Sequence, residues 1–412
     1  MIQYNEFRLS NGLQVIHHED PSTQLCVLNV LYKVGSRNEN PDHTGFAHLF
    51  EHLMFGGSVN VPEFDTELQA AGGESNAFTS NDITNYYITL PANNIETGFW
   101  LESDRMLSLD FNQKSLDVQK NVVIEEFKER YLNQPYGDIW LKILPLAYQK
   151  HPYNWATIGK NIEHIEASNL EQVKAFFENF YAPENAILVV AGNIDLEKTK
   201  ALCQKWFEPI PARKTIIPPY LQEPKQTEAR REHVYEDVPV NLILKAYKMG
   251  GRMDKDYFDA DLLSDILGAG KSSRFFNKLV KELGLFSELD TYISGDVDPG
   301  LFLIEGKLMK DVDFETAEVA ILKELEFLKS EGVTKVELEK VQNKTETNIH
   351  FGDVNVLNRA MKLAFASFLG DISLVNTEVD SYLQVNTKTL QEVAKNMFRE
   401  ENCCTLYYHA KP

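Results

Sequence analysis

The chain has 412 residues, with 41 basic and 61 acidic side chains, and a formal net charge of −20. This negative charge argues against nucleic acid and anionic membranes as partners, since both select basic surfaces. The cysteines are too few and too scattered for a disulfide framework, and no apolar run is long enough to span a membrane. We therefore expect a cytoplasmic protein of two or three domains, or a periplasmic one if a signal peptide has been removed.

Apolar runs predict strands in both halves of the chain, and amphipathic spacing predicts helices between them. The predicted strands are Gln14–Ile16, Tyr86–Leu90, Ala186–Ala191, Asn241–Tyr247, Phe302–Leu308 and Cys404–Tyr408. Residues 314–331 have the apolar spacing of a helix. The mixture predicts an α+β fold in which sheets are packed against helices.

Residues 48–52 read His-Leu-Phe-Glu-His in a segment that is apolar enough to form a buried helix. On a helix, His48, Glu51 and His52 share one face, because positions i, i+3 and i+4 are neighbours. Two imidazoles one turn apart can bind one metal ion, and a carboxylate beside them can take a proton from water. Pro41, Asp42 and Thr44 offer start signals upstream of the helix, and Gly56-Gly57 end it. The alternative is a buried histidine pair that Glu51 satisfies without a metal.

A second predicted helix, residues 114–130, offers a third ligand for such a metal. Its predicted apolar side consists of Val118, Val122, Val123 and Phe127. The glutamates Glu125, Glu126 and Glu129 are all available as ligands. Most glutamates on a helix of this kind face water, so the pattern alone does not select one of them.

A proline-rich stretch divides the chain, and the two halves repeat one pattern. The segment 32–37, YKVGSR, returns as YKMGGR at 247–252, and in both copies a strand leads through a loop into an apolar helix. We therefore predict two homologous α/β-sandwich domains from an internal duplication, each a mainly antiparallel sheet packed with helices. The predicted limits are 1–212 for the metal-binding domain, 213–230 for a linker, and 231–412 for a degenerate repeat.

The second copy of the helix has lost the polar groups. When Gly56 is aligned with Gly268, residues Ala260, Leu263 and Ser264 replace His48, Glu51 and His52. This loss favours a metal site that is confined to the first half.

Several segments resemble the pitrilysin/insulinase-like inverzincin metallopeptidases, and the resemblance covers nearly the whole chain. These segments are HLFEH with its following glycines, residues 72–91, the helix ending NVVIEE, and residues 151–160, 180–195 and 267–279. The likeness is greatest to the smaller branch that includes the mitochondrial processing peptidase β-subunit and its bacterial relatives. It implies a zinc-dependent endopeptidase that cleaves short or unfolded peptides.

The resemblance also implies which residues form the zinc site. His48 and His52 become zinc ligands, Glu51 becomes the general base, and Glu126 becomes the third ligand, because NVVIEE matches the family segment that ends in that ligand. Gln119 stands where relatives carry a second glutamate that supports the site.

The substrate strand is likewise implied by the resemblance. The segment Asn76-Ala77-Phe78-Thr79 resembles the family's edge strand, whose backbone pairs with the peptide substrate, and Asn76, Ala77 and Phe78 become the substrate-binding residues. Without the resemblance, these residues read as an ordinary strand with a polar turn.

One expected feature is absent from the second half. Relatives that act alone or as identical pairs carry an Arg-x6-Tyr pair there, but Val280 and Ser287 occupy these positions, and neither Arg274 nor Tyr292 has the right spacing. We therefore expect the zinc-bearing subunit of a heterodimer, whose metal-free homologous partner supplies the pair. A homodimer with altered chemistry is the less favoured alternative. The alternative function is that of a zinc-containing subunit that does not cleave peptides but binds them or has a structural role.

Overall fold

Eleven strands form two sheets in residues 1–411, the part of the chain that the computed structural model describes. The first sheet contains β1 (Asn5–Arg8), β2 (Gln14–Glu19), β3 (Leu25–Tyr32), β4 (Glu74–Thr79), β5 (Thr84–Pro91) and β6 (Ala186–Gly192). The second contains β7 (Arg230–Glu236), β8 (Leu242–Lys248), β9 (Phe286–Ile293), β10 (Leu301–Leu308) and β11 (Cys403–Ala410).

The two sheets repeat one strand order. The order β2-β6-β3-β5-β4 in the first sheet corresponds to β7-β11-β8-β10-β9 in the second, and β1 adds one strand beside β2. In each sheet one parallel pair, β2–β6 or β7–β11, adjoins antiparallel neighbours. This correspondence confirms the predicted α+β fold with two homologous halves.

Besides seven short 3-10 or π-helical segments, the described chain also contains fourteen α-helices. Those of the first half are α1 (Phe46–Leu53), α2 (Phe64–Ala70), α3 (Ile95–Leu107), α4 (Gln113–Phe127), α5 (Ile139–Ala147), α6 (Ile162–Glu166), α7 (Leu170–Phe180) and α8 (Leu196–Trp206). Those of the second half are α9 (Tyr257–Leu267), α10 (Phe314–Glu331), α11 (Lys335–Gly352), α12 (Val356–Phe368), α13 (Leu374–Gln384) and α14 (Thr387–Met397).

The predicted elements occur, with one error in a helix face. All six predicted strands are present, and the helix predicted over residues 314–331 is α10. In α4, however, the predicted apolar side is wrong in part, since Val118 is 50% exposed and Val122 is 45% exposed. The buried side instead runs through Leu116, Val123, Ile124 and Phe127, whose spacing of three, four and seven residues keeps them on one face.

Contacts divide the chain into two compact units, and each unit draws on both halves of the sequence. The first unit consists of Met1–Arg130, Trp155–Tyr220 and His350–Asn376, and the second of Tyr131–Asn154, Leu221–Ile349 and Thr377–Pro412. In the first unit α12 packs on β3 and β6, and in the second α5 packs on β7, β8 and β11. The predicted limits of 1–212, 213–230 and 231–412 treated each domain as continuous, whereas these units are interleaved.

The proline-rich stretch is not helical, as its composition predicts: residues 211–229 form neither helix nor strand. In the first unit, Arg213 donates to the backbone oxygens of Met106 and Tyr181. In the second unit, Glu223 accepts hydrogen bonds from three consecutive backbone N–H groups, those of residues 149–151.

All four cysteines are buried and free of disulfide bonds. Within residues 1–411 no helix combines the length and the apolar character that crossing a membrane requires.

Candidate metal centre

Helix α1 is short and buried, and it carries both histidines. It begins at Phe46, after Gly45 in a left-handed conformation with φ of 90°. Thr44, one of the predicted start signals, lies two residues before the helix, and its hydroxyl is 2.9 Å from Nδ1 of His164. After α1, Gly57 has a φ of 101°, a conformation that glycine accommodates without strain and that ends the helical path.

The structure brings three of the predicted ligands together. Oε2 of Glu126 lies 3.6 Å from Nε2 of His48 and 3.2 Å from Nε2 of His52. One ligand atom from each residue lies within 4.8 Å of the others, and within residues 1–411 no second group of three such residues occurs. The side chains are 11%, 24% and 15% exposed for His48, His52 and Glu126, respectively, so the donors lie in a largely desolvated site.

These distances and donor types fit a divalent metal ion such as zinc. Two ligands at zinc-binding distance in tetrahedral arrangement lie about 3.3 Å from each other, close to the two separations from Glu126. Two histidines and one glutamate also form a known donor set of catalytic zinc, which leaves a position for water or substrate.

The protonation states also suit metal binding. Burial lowers the pKa of His48 to about 4, so its imidazole is neutral near pH 7 and keeps a lone pair for a metal. The pKa of Glu126 is lowered by its hydrogen bond with His52, which keeps the carboxylate ionised. Neutral imidazole and ionised carboxylate are the forms that coordinate zinc.

The other two candidate glutamates do not reach the histidines. Glu125 is 72% exposed on its side chain and pairs with Lys128 over 2.7 Å, and Glu129 is exposed. Glu126 uses its two oxygens for different partners. Nη1 of Arg130 lies 3.0 Å from Oε1, and Oε2 faces the histidines. Sequence reasoning missed Arg130, although its position four residues after Glu126 is the spacing of a helical ion pair.

Glu51 lies beside the donor set and is held by a residue of the edge strand. Oγ1 of Thr79 donates to Oε2 of Glu51 over 2.6 Å. Burial raises the pKa of Glu51, and the Thr79 hydrogen bond opposes that rise. The sequence predicts Thr79 only as part of the substrate strand. Its hydrogen bond with Glu51, like the Arg130 ion pair, is a contact that the sequence did not reveal.

The strand that carries Asn76, Ala77 and Phe78 is β4, and it lies at the edge of the first sheet, next to β5. Phe78 is 41% exposed, and Asn76 is also exposed. Oδ1 of Asn76 accepts a hydrogen bond from the Ala77 N–H over 2.8 Å. A peptide that bonded to this N–H group would have to displace the Asn76 side chain.

The second half has no counterpart of the metal ligands. Ala260 and Leu263 are fully buried in α9, and Ser264 donates to the backbone oxygen of Asp261. Val280 and Ser287, the positions of the family's arginine and tyrosine, line one cavity of about 230 Å³ beside β9.

The two nearby alternatives for that pair are engaged in other contacts. Arg274 donates to both carboxylate oxygens of Glu337, and the Tyr292 hydroxyl donates to Glu305. Their side chains therefore do not take over the roles of the missing pair.

Comparison with known proteins identifies relatives over nearly the full chain. The family described as "Insulinase (Peptidase family M16)" matches residues 14–159, and the one described as "Peptidase M16 inactive domain" matches residues 168–345. The chain is 32% identical to the zinc protease PqqE of Helicobacter pylori, over 98% of this chain and 92% of that protein. It is 25% identical to the uncharacterized zinc protease YmxG of Bacillus subtilis, over 97% of both. The crystal structure of a protease from Helicobacter pylori superposes with a TM-score of 0.94 at 31% identity and covers both chains completely.

Proposed function

Because this chain belongs to the insulinase family of peptidases, family M16, we propose that it is a zinc-dependent endopeptidase that cleaves short or unfolded peptides. The proposal rests above all on the convergence of His48, His52 and Glu126, with Glu51 on the same short helix. His48, His52 and Glu126 would hold the ion. Bound zinc would supply a Lewis acid that activates water and polarises the peptide carbonyl.

Glu51 is the proton carrier in this mechanism. Its carboxylate takes a proton from the attacking water and later gives it to the amine leaving group. The raised pKa of Glu51 suits both steps, because it strengthens the base and brings its acid form closer to neutral pH. Because Oε2 already accepts the hydrogen bond from Thr79, Oε1 is the oxygen that takes up the proton of the water.

The substrate adds to the edge strand. Backbone groups of β4 pair with an extended peptide, so that main-chain contacts give broad sequence tolerance. Thr79 ends this strand and contacts Glu51, so the same strand would align the peptide and hold the base. Folded proteins are poor substrates in this scheme, since an added strand requires an extended segment.

A second chain completes the site in this proposal. Val280 and Ser287 cannot donate the charged and phenolic hydrogen bonds of an Arg/Tyr pair, and such donors stabilise developing oxyanion charge. We propose a heterodimer in which a homologous, metal-free subunit supplies that pair. The rival is a zinc-containing subunit that binds peptides without cleaving them, and the same two residues favour it.

The test is turnover of a quenched fluorescent, unfolded peptide by the chain alone and by the chain mixed with a metal-free homologue. Turnover should appear in the mixture, disappear with a zinc chelator and return when zinc is added. Strong turnover by the chain alone would contradict the heterodimer. Zinc binding without turnover under either condition would favour the non-cleaving subunit.

A further inference from the structure

Helix α1 starts without a capping side chain of its own. The residue before the helix, Gly45, has a φ of 90° and no side chain to accept the first N–H groups. A Cβ atom at this position would lie 2.5 Å from Cδ1 of Ile165 and 2.6 Å from the backbone oxygen of Ile158. Serine, aspartate or asparagine, the usual capping residues, therefore do not fit here.

A buried carboxylate from outside the helix takes over this task. Oε2 of Glu39 accepts from the Gly45 N–H and Oε1 accepts from the Ala47 N–H, both over 2.8 Å. Nε1 of Trp155 also donates to Oε2 over 3.1 Å. Glu39 is only 6% exposed. Its two oxygens thus occupy N–H groups that would otherwise be buried without partners.

The Glu39 cap binds the backbone directly before His48. Ala47, which Glu39 binds, directly precedes His48 in the chain. Nδ1 of His48 is buried and has no hydrogen-bond partner in residues 1–411, so no hydrogen bond on this nitrogen sets the direction of the ring. A metal-binding histidine usually has a hydrogen bond on its second nitrogen that fixes the ring. His48 lacks this hydrogen bond and lies in the first turn of the eight-residue helix α1, so the placement of that turn matters for the direction of the ring.

We propose that Glu39 is a positioning residue of the metal centre, which holds the start of α1 and thereby places His48 for metal binding. This inference rests on the proposed zinc site. Glu39 does not touch the metal or the substrate; it acts through the backbone of Gly45 and Ala47.

Glu39→Gln and Glu39→Ala are the informative substitutions, and Asp195→Ala is the matched control. Asp195 is also a carboxylate that caps a helix of the first unit, α8, by accepting from the Lys198 N–H over 2.7 Å. Loss of either cap destabilises a helix, but only loss of the Glu39 cap disturbs a helix with metal ligands. Glu39→Gln keeps the size of the side chain and turns one acceptor into a donor, whereas Glu39→Ala removes both acceptors.

The measurement is zinc affinity by competition with a chromophoric chelator, together with the visible absorption of the cobalt-loaded protein, at a temperature where circular dichroism shows every variant folded. Zinc affinity should fall about 10- to 100-fold in Glu39→Ala and about tenfold in Glu39→Gln, as for other groups that orient metal ligands. The cobalt bands should shift in both, while Asp195→Ala matches wild type. Unchanged affinity and bands in Glu39→Gln would overturn the inference alone. Wild type that binds neither metal would overturn the proposed function as well.

Discussion

The hydroxyl of Thr79 donates a 2.6 Å hydrogen bond to the carboxylate of Glu51, and so joins the end of an edge strand to the helix of the metal centre. The bond connects two features that the sequence shows separately, the NAFT strand and the HLFEH helix. In the proposed mechanism it fixes the base relative to a peptide on β4.

Thr79→Val should lower kcat about 10- to 100-fold, a part of the ~10²–10⁴ that a positioned general base contributes. The zinc content should stay at the wild-type level, because Thr79 does not belong to the donor set. Thr79→Ser is the control, since it keeps the hydroxyl. Steady-state kinetics on a fluorescent peptide and elemental analysis provide the two readouts. Equal kcat in Thr79→Val and wild type would refute the role of this bond.

The cavity beside β9 allows a gain-of-function test of the missing pair. Val280 and Ser287 both line it, so an arginine and a tyrosine would replace two of its lining residues. The double variant Val280→Arg with Ser287→Tyr should raise turnover by the chain alone about tenfold or more, because each oxyanion donor is worth about 10²–10³ in kcat when it is well placed. The double variant Val280→Lys with Ser287→Phe controls for charge and size. If the chain alone is inactive and stays inactive in the first variant, these positions do not account for the missing activity.

Arg274 stabilises the fold through its ion pair with Glu337, and this stabilisation should depend on pH. Although burial acts in the opposite direction, hydrogen bonds from Arg274 and Thr334 lower the pKa of Glu337 to about 2. A carboxylate whose pKa is lower in the folded state stabilises the fold above its unfolded pKa of about 4.3, and loses that contribution as the pH falls toward 2. Glu337→Gln should therefore cost about 2–3 kcal/mol of unfolding free energy at pH 7 and about half as much at pH 3.

Urea unfolding at the two pH values measures this difference. Glu392→Gln, which removes an exposed partner of Lys388 at 3.9 Å, is the control and should change the unfolding free energy little at either pH. An equal cost of Glu337→Gln at pH 7 and pH 3 would show that the ion pair with Arg274 does not stabilise the fold.

The sequence predicted the parts of the site that local spacing determines. His48, Glu51 and His52 share a helix face because their separations match one turn, and the structure places them there. Glu126 needed the family resemblance, because Glu125 and Glu129 have the same local character and only the direction of the helix in three dimensions separates them. Helical spacing also gave a wrong prediction for Val118 and Val122, which were expected on the apolar side of α4 but are exposed.

Long-range contacts account for what the sequence did not show. Glu39 and Thr79 lie apart from α1 in the chain, and each reaches it only once the loops and the sheet are folded. The interleaving of the two units was hidden for a related reason. The apolar face of an amphipathic helix shows that it packs against a core, but not which sheet it covers, and α5 and α12 each cover the sheet of the unit that the continuous limits did not assign to them.

The most direct test of the central claim is the variant Glu51→Gln, assayed for zinc and for peptide cleavage under conditions where the wild-type chain is active. Glutamine keeps the size and the Thr79 contact of Glu51 but cannot carry the proton. We predict one zinc ion per chain, as in wild type, and cleavage reduced by about 10²–10⁴. Cleavage at the wild-type rate by Glu51→Gln, or an active wild type that contains no zinc, would contradict the account.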